Sequence, residues 1–96
     1  MITPDEIDLL FFRVHRQRLL EESLASLKKI WPANHRWEWS PDRLGNRYIG
    51  DDWMMDFKGD CAEAFAHVEA SKLPEFLKLA CDVVLMASEL ICRKAD

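Results

Sequence analysis

Ninety-six residues, 49% of them hydrophobic, supply apolar material for one compact core and exclude a chain of two domains, so residues 1–96 are expected to form a single domain. Charged residues make up 31% and glycine and proline are few, which excludes a disordered or low-complexity chain. A net charge of −4 leaves no cation surplus to track a phosphate backbone, so direct nucleic-acid binding is not expected.

Thr3-Pro4-Asp5-Glu6 has the form of a helix start, with Thr3 as N-cap, Pro4 at the first helical position and Glu6 completing a capping box. The reading is a helix from about Pro4 to about Lys29, closed by Trp31-Pro32. Two apolar stripes lie on it. Ile7, Leu10, Phe11 and Val14 form one, and Leu20, Leu24 and Leu27 form another more than about 90° around the axis at 100° per residue. Either the helix kinks at His15-Arg16-Gln17-Arg18 or its halves face different partners, one of which could be a second subunit.

From Asn34 the alternation of Trp37 and Trp39 with Arg36, Glu38 and Ser40 predicts a strand. Gly45-Asn46 supplies turn chemistry, Arg47 to Gly50 reads as a second short strand, and Asp51-Asp52 turns into a third, Trp53 to Phe57. Asp60 with Glu63 then opens a helix whose apolar side is Cys61, Ala64, Phe65 and Val68, and Pro74 starts the last helix. Glu75, Lys78, Asp82, Glu89 and Arg93 fall within about 60° on that last helix, and nearly everything else on it is apolar. These elements predict an α+β domain of order α-β-β-β-α-α, a three-stranded antiparallel meander packed against helices. A narrow polar stripe on the last helix makes it the centre of the core or a dimer seam, so the chain is expected to be a monomer or homodimer.

Cys61, Cys81 and Cys92 are an odd number with no C-x-x-C spacing, and the acidic N-terminus is unlike an export signal. Reduced thiols, a cytoplasmic location and no membrane span are the expectation. No cofactor or metal motif is present; His35, His67 and Cys61 lack metal-ligand spacing, and Cys61, in the first turn of the expected helix, is a candidate for a lowered thiol pKa.

Charge is divided along the chain. Residues 13–47 carry eight Lys or Arg against four acids, and residues 48–96 carry five against ten. Such polarity favours oriented docking on a charged partner. All four tryptophans, Trp31, Trp37, Trp39 and Trp53, cluster with arginines, a composition typical of interface anchors. The leading expectation is a non-enzymatic protein-binding module, an inhibitor or adaptor docking on a larger complex. Its binding residues would be Trp37, Trp39, Arg36, Arg43, Arg47, Asp51 and Asp52. Size and acidity match those of small phage or bacterial effectors that block host nucleases or defence complexes.

Pro41-Asp42 followed by Asp56-Phe57-Lys58 supports an alternative. The set resembles the PD-(D/E)-x-K signature of a nuclease superfamily. The resemblance implies a Mg²⁺-dependent nuclease in which Asp42 and Asp56 hold the metal and Lys58 assists the attacking water.

Overall fold

The computed structural model describes residues 2–40 and 49–95, with only the backbone of residues 93–95. Among the described residues it is a small all-helical domain of three α-helices: α1 over Pro4–Ile30, α2 over Asp51–Phe65 and α3 over Leu73–Ala95, with one 3₁₀ turn at Ala70–Lys72 leading into α3.

The capping box opening α1 is formed as expected. Thr3 Oγ1 accepts the Glu6 amide at 3.2 Å, and Glu6 Oε2 accepts the Thr3 amide at 3.3 Å. Lys28 and Lys29 occupy the last turn, where cations complement the helix dipole. α1 is one helix throughout its 27 residues, so its two apolar stripes face different surroundings. Leu20, Leu24 and Leu27 are fully buried, whereas Ile7, Leu10, Phe11 and Val14 are exposed.

α3 lies between the other two helices and contacts both, more extensively α1. α1 and α3 run antiparallel: Arg16 pairs with Glu89 at one level, and Trp31, just past the end of α1, meets Phe76 near the start of α3. Phe76, Val83 and Ala87 of α3 close the core against Leu20, Leu24 and Leu27 of α1 and Trp53, Phe57, Cys61 and Ala64 of α2. The molecule measures 51 × 22 × 20 Å, because the N-terminal turns of α1 run alongside only the last turns of α3.

The expected α+β fold is overturned: among the described residues there is no strand. Residues 36–40 belong to no regular element, and Ile49 and Gly50 lie in no strand, while Arg47 falls outside the described residues. The segment Trp53–Phe57, read as a third strand, is the beginning of α2. Trp53 and Phe57 lie four apart and satisfy a period of two and a helical period alike. Their neighbours discriminate, since a strand would bury Met55 with them, yet Met55 is 68% exposed and Met54 only 6%. Asp51-Asp52 was read as a hairpin turn; it is the acidic first turn of α2, which starts after Gly50 and gains from the helix dipole. Asp60 consequently sits inside a helix and does not open one.

Candidate functional site

Residues 31–40 leave α1 and fold back over α2 as an irregular, aromatic-rich strap. It is fixed by side chains and not by a backbone ladder. His35 N donates to Pro32 O at 3.1 Å, Trp31 Nε1 to Arg36 O at 3.3 Å and Trp37 Nε1 to Ser40 Oγ at 2.8 Å. Trp39 inserts its ring edge-on against Trp53 and Phe57, whose rings stack at 5.4 Å and 6°. Such edge and offset-stacked geometries suit the aromatic quadrupole.

Asp60 of α2 joins this strap to the helix. Its Oδ2 accepts from Trp39 Nε1 at 2.6 Å, and its Oδ1 lies 2.7 Å from His35 Nε2. Short contacts of this kind to a carboxylate are among the stronger hydrogen bonds available to a small domain. Glu63 and His67 follow Asp60 at i+3 and i+7, so the three lie along one side of the chain. The His67 ring stacks 6.5 Å from that of His35, and its Nδ1 lies 3.2 Å from Asn34 Nδ2.

Ligand atoms of His35, Asp60 and Glu63 all lie within 4.8 Å of one another, which gives a divalent ion three donors in reach. Both Asp60 oxygens already accept hydrogen bonds, however, so an ion there would compete with the contacts that hold the strap. Cys61 adjoins this cluster. Burial, and secondarily the Asp60 charge, pushes its thiol up to about 12, so it carries no thiolate at neutral pH. This reverses the expectation of a lowered pKa, which assumed that Cys61 stood in the first turn of a helix. It lies in the third turn of α2, away from the positive end of the dipole.

The residues expected to bind a partner differ in exposure. The Trp39 ring is part of the core and Trp37 is half-buried; Arg36 is exposed and pairs with Glu38 at 3.4 Å. Asp51 and Asp52 are exposed at the start of α2, and Arg43 and Arg47 lie outside the described residues. The nuclease-like set does not assemble as its chemistry requires. Asp56 and Lys58 are two residues apart on a helix, about 200° around the axis, so they cannot flank one metal as strand neighbours would. Asp42 lies outside the described residues.

Two apolar faces remain outside the core. One is the Ile7, Leu10, Phe11 and Val14 stripe of α1, whose helical spacing the sequence showed directly. The other had been absorbed into an expected core: Leu77, Cys81, Leu85, Ser88 and Cys92, at intervals of four, four, three and four, run down the outer side of α3. Leu77 and Leu85 are 48% and 62% exposed, and both cysteines are exposed free thiols. Near its C-terminal end this stripe borders a groove of about 410 Å³ lined by Phe12, Arg16, Leu85, Ser88, Glu89 and Cys92. The Arg16–Glu89 pair, at 2.6 Å, supplies a charged rim, and the Arg16 guanidinium lies 5.1 Å from the Phe12 ring centroid. No helix among the described residues is long and apolar enough to cross a membrane. No protein-family model, curated protein or solved structure matches the chain.

Proposed function

We propose that this chain is a helical protein-docking module whose binding surface is the outer side of α3 together with the groove it shares with α1. The observation that carries this reading is the apolar stripe Leu77, Cys81, Leu85, which stays exposed on the same helix that forms the centre of the core. A helix apolar on nearly its whole circumference is matched to burial on both sides, and its second side is here open. The groove walls set the chemistry of the ligand. Phe12 and Leu85 receive an apolar side chain, and the Arg16–Glu89 rim offers a donor and an acceptor to whatever carries it. An amphipathic helix of another protein, laid along α3 with one apolar residue every three or four positions, meets both demands.

In this reading the chain acts as an adaptor or inhibitor by occupying another protein's surface, and the strap and α2 hold α3 in place. Its free thiols fit a reducing compartment such as the cytoplasm. The test is co-purification from the native host with wild type and Leu85→Asp, followed by mass spectrometry. A protein recovered with wild type and lost with a variant of unchanged helicity supports the surface; equal recovery removes it.

A further inference from the structure

The α1 stripe is a second surface, and its charge pattern fits one occupant. We propose that two copies of this chain associate through the N-terminal halves of their α1 helices, antiparallel and related by a twofold axis passing between Leu10 and Phe11.

Three observations carry this. The stripe is open: Ile7, Leu10, Phe11 and Val14 are from 39% to 65% exposed. It lies about 130° around α1 from the buried Leu20–Leu24–Leu27 face at 100° per residue, so its occupant must come from the side away from α3.

The segment is also self-complementary. About the proposed axis Ile7 of each copy meets Val14 of the other along the centre of the stripe, and on its two flanks Leu10 meets Leu10 and Phe11 meets Phe11, so each apolar residue has an apolar counterpart. Charge follows the same symmetry. Asp5, Glu6 and Asp8 make the first turns of α1 wholly acidic, and Arg13, His15, Arg16 and Arg18 make the next turns basic. An antiparallel pair brings the acidic turns of each copy level with the basic turns of the other, whereas a parallel pair would place like against like. Within the chain Asp8, on the same flank of the stripe as His15 and Arg18, takes part in no ion pair among the described residues.

The third observation is area. The chain exposes 6561 Å², whereas a compact monomer of 11.3 kDa exposes about 5,700 Å². The surplus, about 800 Å², is what one partner contributes to an interface of ordinary size. The radius of gyration agrees, at 14.6 Å against about 12.5 Å for a compact chain of this length.

Sedimentation equilibrium or light scattering on the full chain tests the proposal. At about 100 µM, wild type is expected at twice the monomer mass of 11.3 kDa. Leu10→Asp, which alters an exposed position and preserves helicity by circular dichroism, raises the dimer Kd at least roughly a hundredfold, since each interface contains the site twice. Asp8→Arg, on the same flank of the stripe as His15 and Arg18, raises it roughly tenfold, and adding His15→Asp restores it to within about threefold. Leu85→Asp, on the docking face of α3, leaves the dimer intact, so loss of that docking reading would not touch this one. A wild type that stays monomeric at this concentration overturns the proposal. So does a dimer that survives Leu10→Asp or dissociates on Leu85→Asp.

Discussion

Replacing Asp60 with alanine removes the acceptor that Trp39 and His35 share, and the structure allows its cost to be worked out. Both contacts are short, 2.6 and 2.7 Å, and hydrogen bonds to a charged acceptor contribute about 1.5–3 kcal/mol each. The two losses are unequal. Trp39 is 3% exposed, so its indole N–H is left without water and incurs the full penalty for an unpaired buried donor, about 1–3 kcal/mol. His35 keeps a 19% exposed side chain and recovers a water. Alanine also returns about 0.5 kcal/mol through its better helix propensity inside α2.

The net loss is about 2–4 kcal/mol, a large part of the roughly 5–14 kcal/mol that a domain of this length possesses. Urea unfolding followed by circular dichroism is expected to give a lower midpoint with an unchanged slope, because the buried surface is the same. Asp60→Asn retains a carbonyl oxygen for the indole and is expected to cost about 1 kcal/mol. In a double-mutant cycle with Trp39→Phe the coupling is about 1–2 kcal/mol. If Asp60→Ala unfolds within about 0.5 kcal/mol of wild type, the strap is not held by this carboxylate and the reasoning fails.

Four further outcomes follow from the same structure. Gly59 lies exposed inside α2, without a positive φ and with open space where a Cβ would stand, so Gly59→Ala is expected to stabilise by about 0.5–1 kcal/mol and raise Tm by several degrees. Trp53 Nε1 is buried with no hydrogen-bond partner among the described residues, so Trp53→Phe loses packing but removes that orphan and is expected to cost less than Trp39→Phe in the same urea assay. Thiol titration at pH 8 is expected to modify Cys81 and Cys92 rapidly and Cys61 only after unfolding, and three equally fast thiols would contradict the placement of Cys61. The Cys61 thiol rises from 9.0 to about 12 on folding, so folding favours its protonated form: the contribution is complete below pH 9 and declines by about 1.4 kcal/mol per pH unit from there to about 12. Cys61→Ala is expected to flatten that alkaline slope.

Where the sequence could be read, a local chemical signal had one interpretation. Thr3, Pro4 and Glu6 make a capping box in no other conformation, so α1 was legible to within one residue of its end. The stripe at Ile7, Leu10, Phe11 and Val14 was visible for the same reason, and only its exposure needed coordinates. Between residues 34 and 57 the signals were degenerate. Tryptophans at 37 and 39 alternate as in a strand, but Trp39 is drawn inward by a carboxylate 21 positions away, a contact that no local pattern encodes. Asp51-Asp52 suits both a turn and the positive end of a helix, and Trp53 with Phe57 suits both periods; Met54 and Met55, equally apolar, could not decide between them without burial. The joint at Asp60 was missed because an aspartate three residues before a glutamate also fits a helix cap, and the outer face of α3 because surplus apolarity there was assigned to the core.

The crowding of tryptophan into residues 31–53 also determines what light can report about this molecule. α1 and α3 contain neither tryptophan nor tyrosine, so tryptophan emission arises wholly from the strap and the start of α2. The four tryptophans form two contacting pairs, Trp31 with Trp37 at 5.1 Å and Trp39 with Trp53 at 5.3 Å, both edge to face, and Trp39 donates to a carboxylate, so their spectrum is tuned by the joint itself. The apolar tip of α1 and the outer side of α3 are optically dark. A partner seated on either leaves the emission unchanged while the joint stays closed, and a spectral shift on binding therefore signals that the strap has moved.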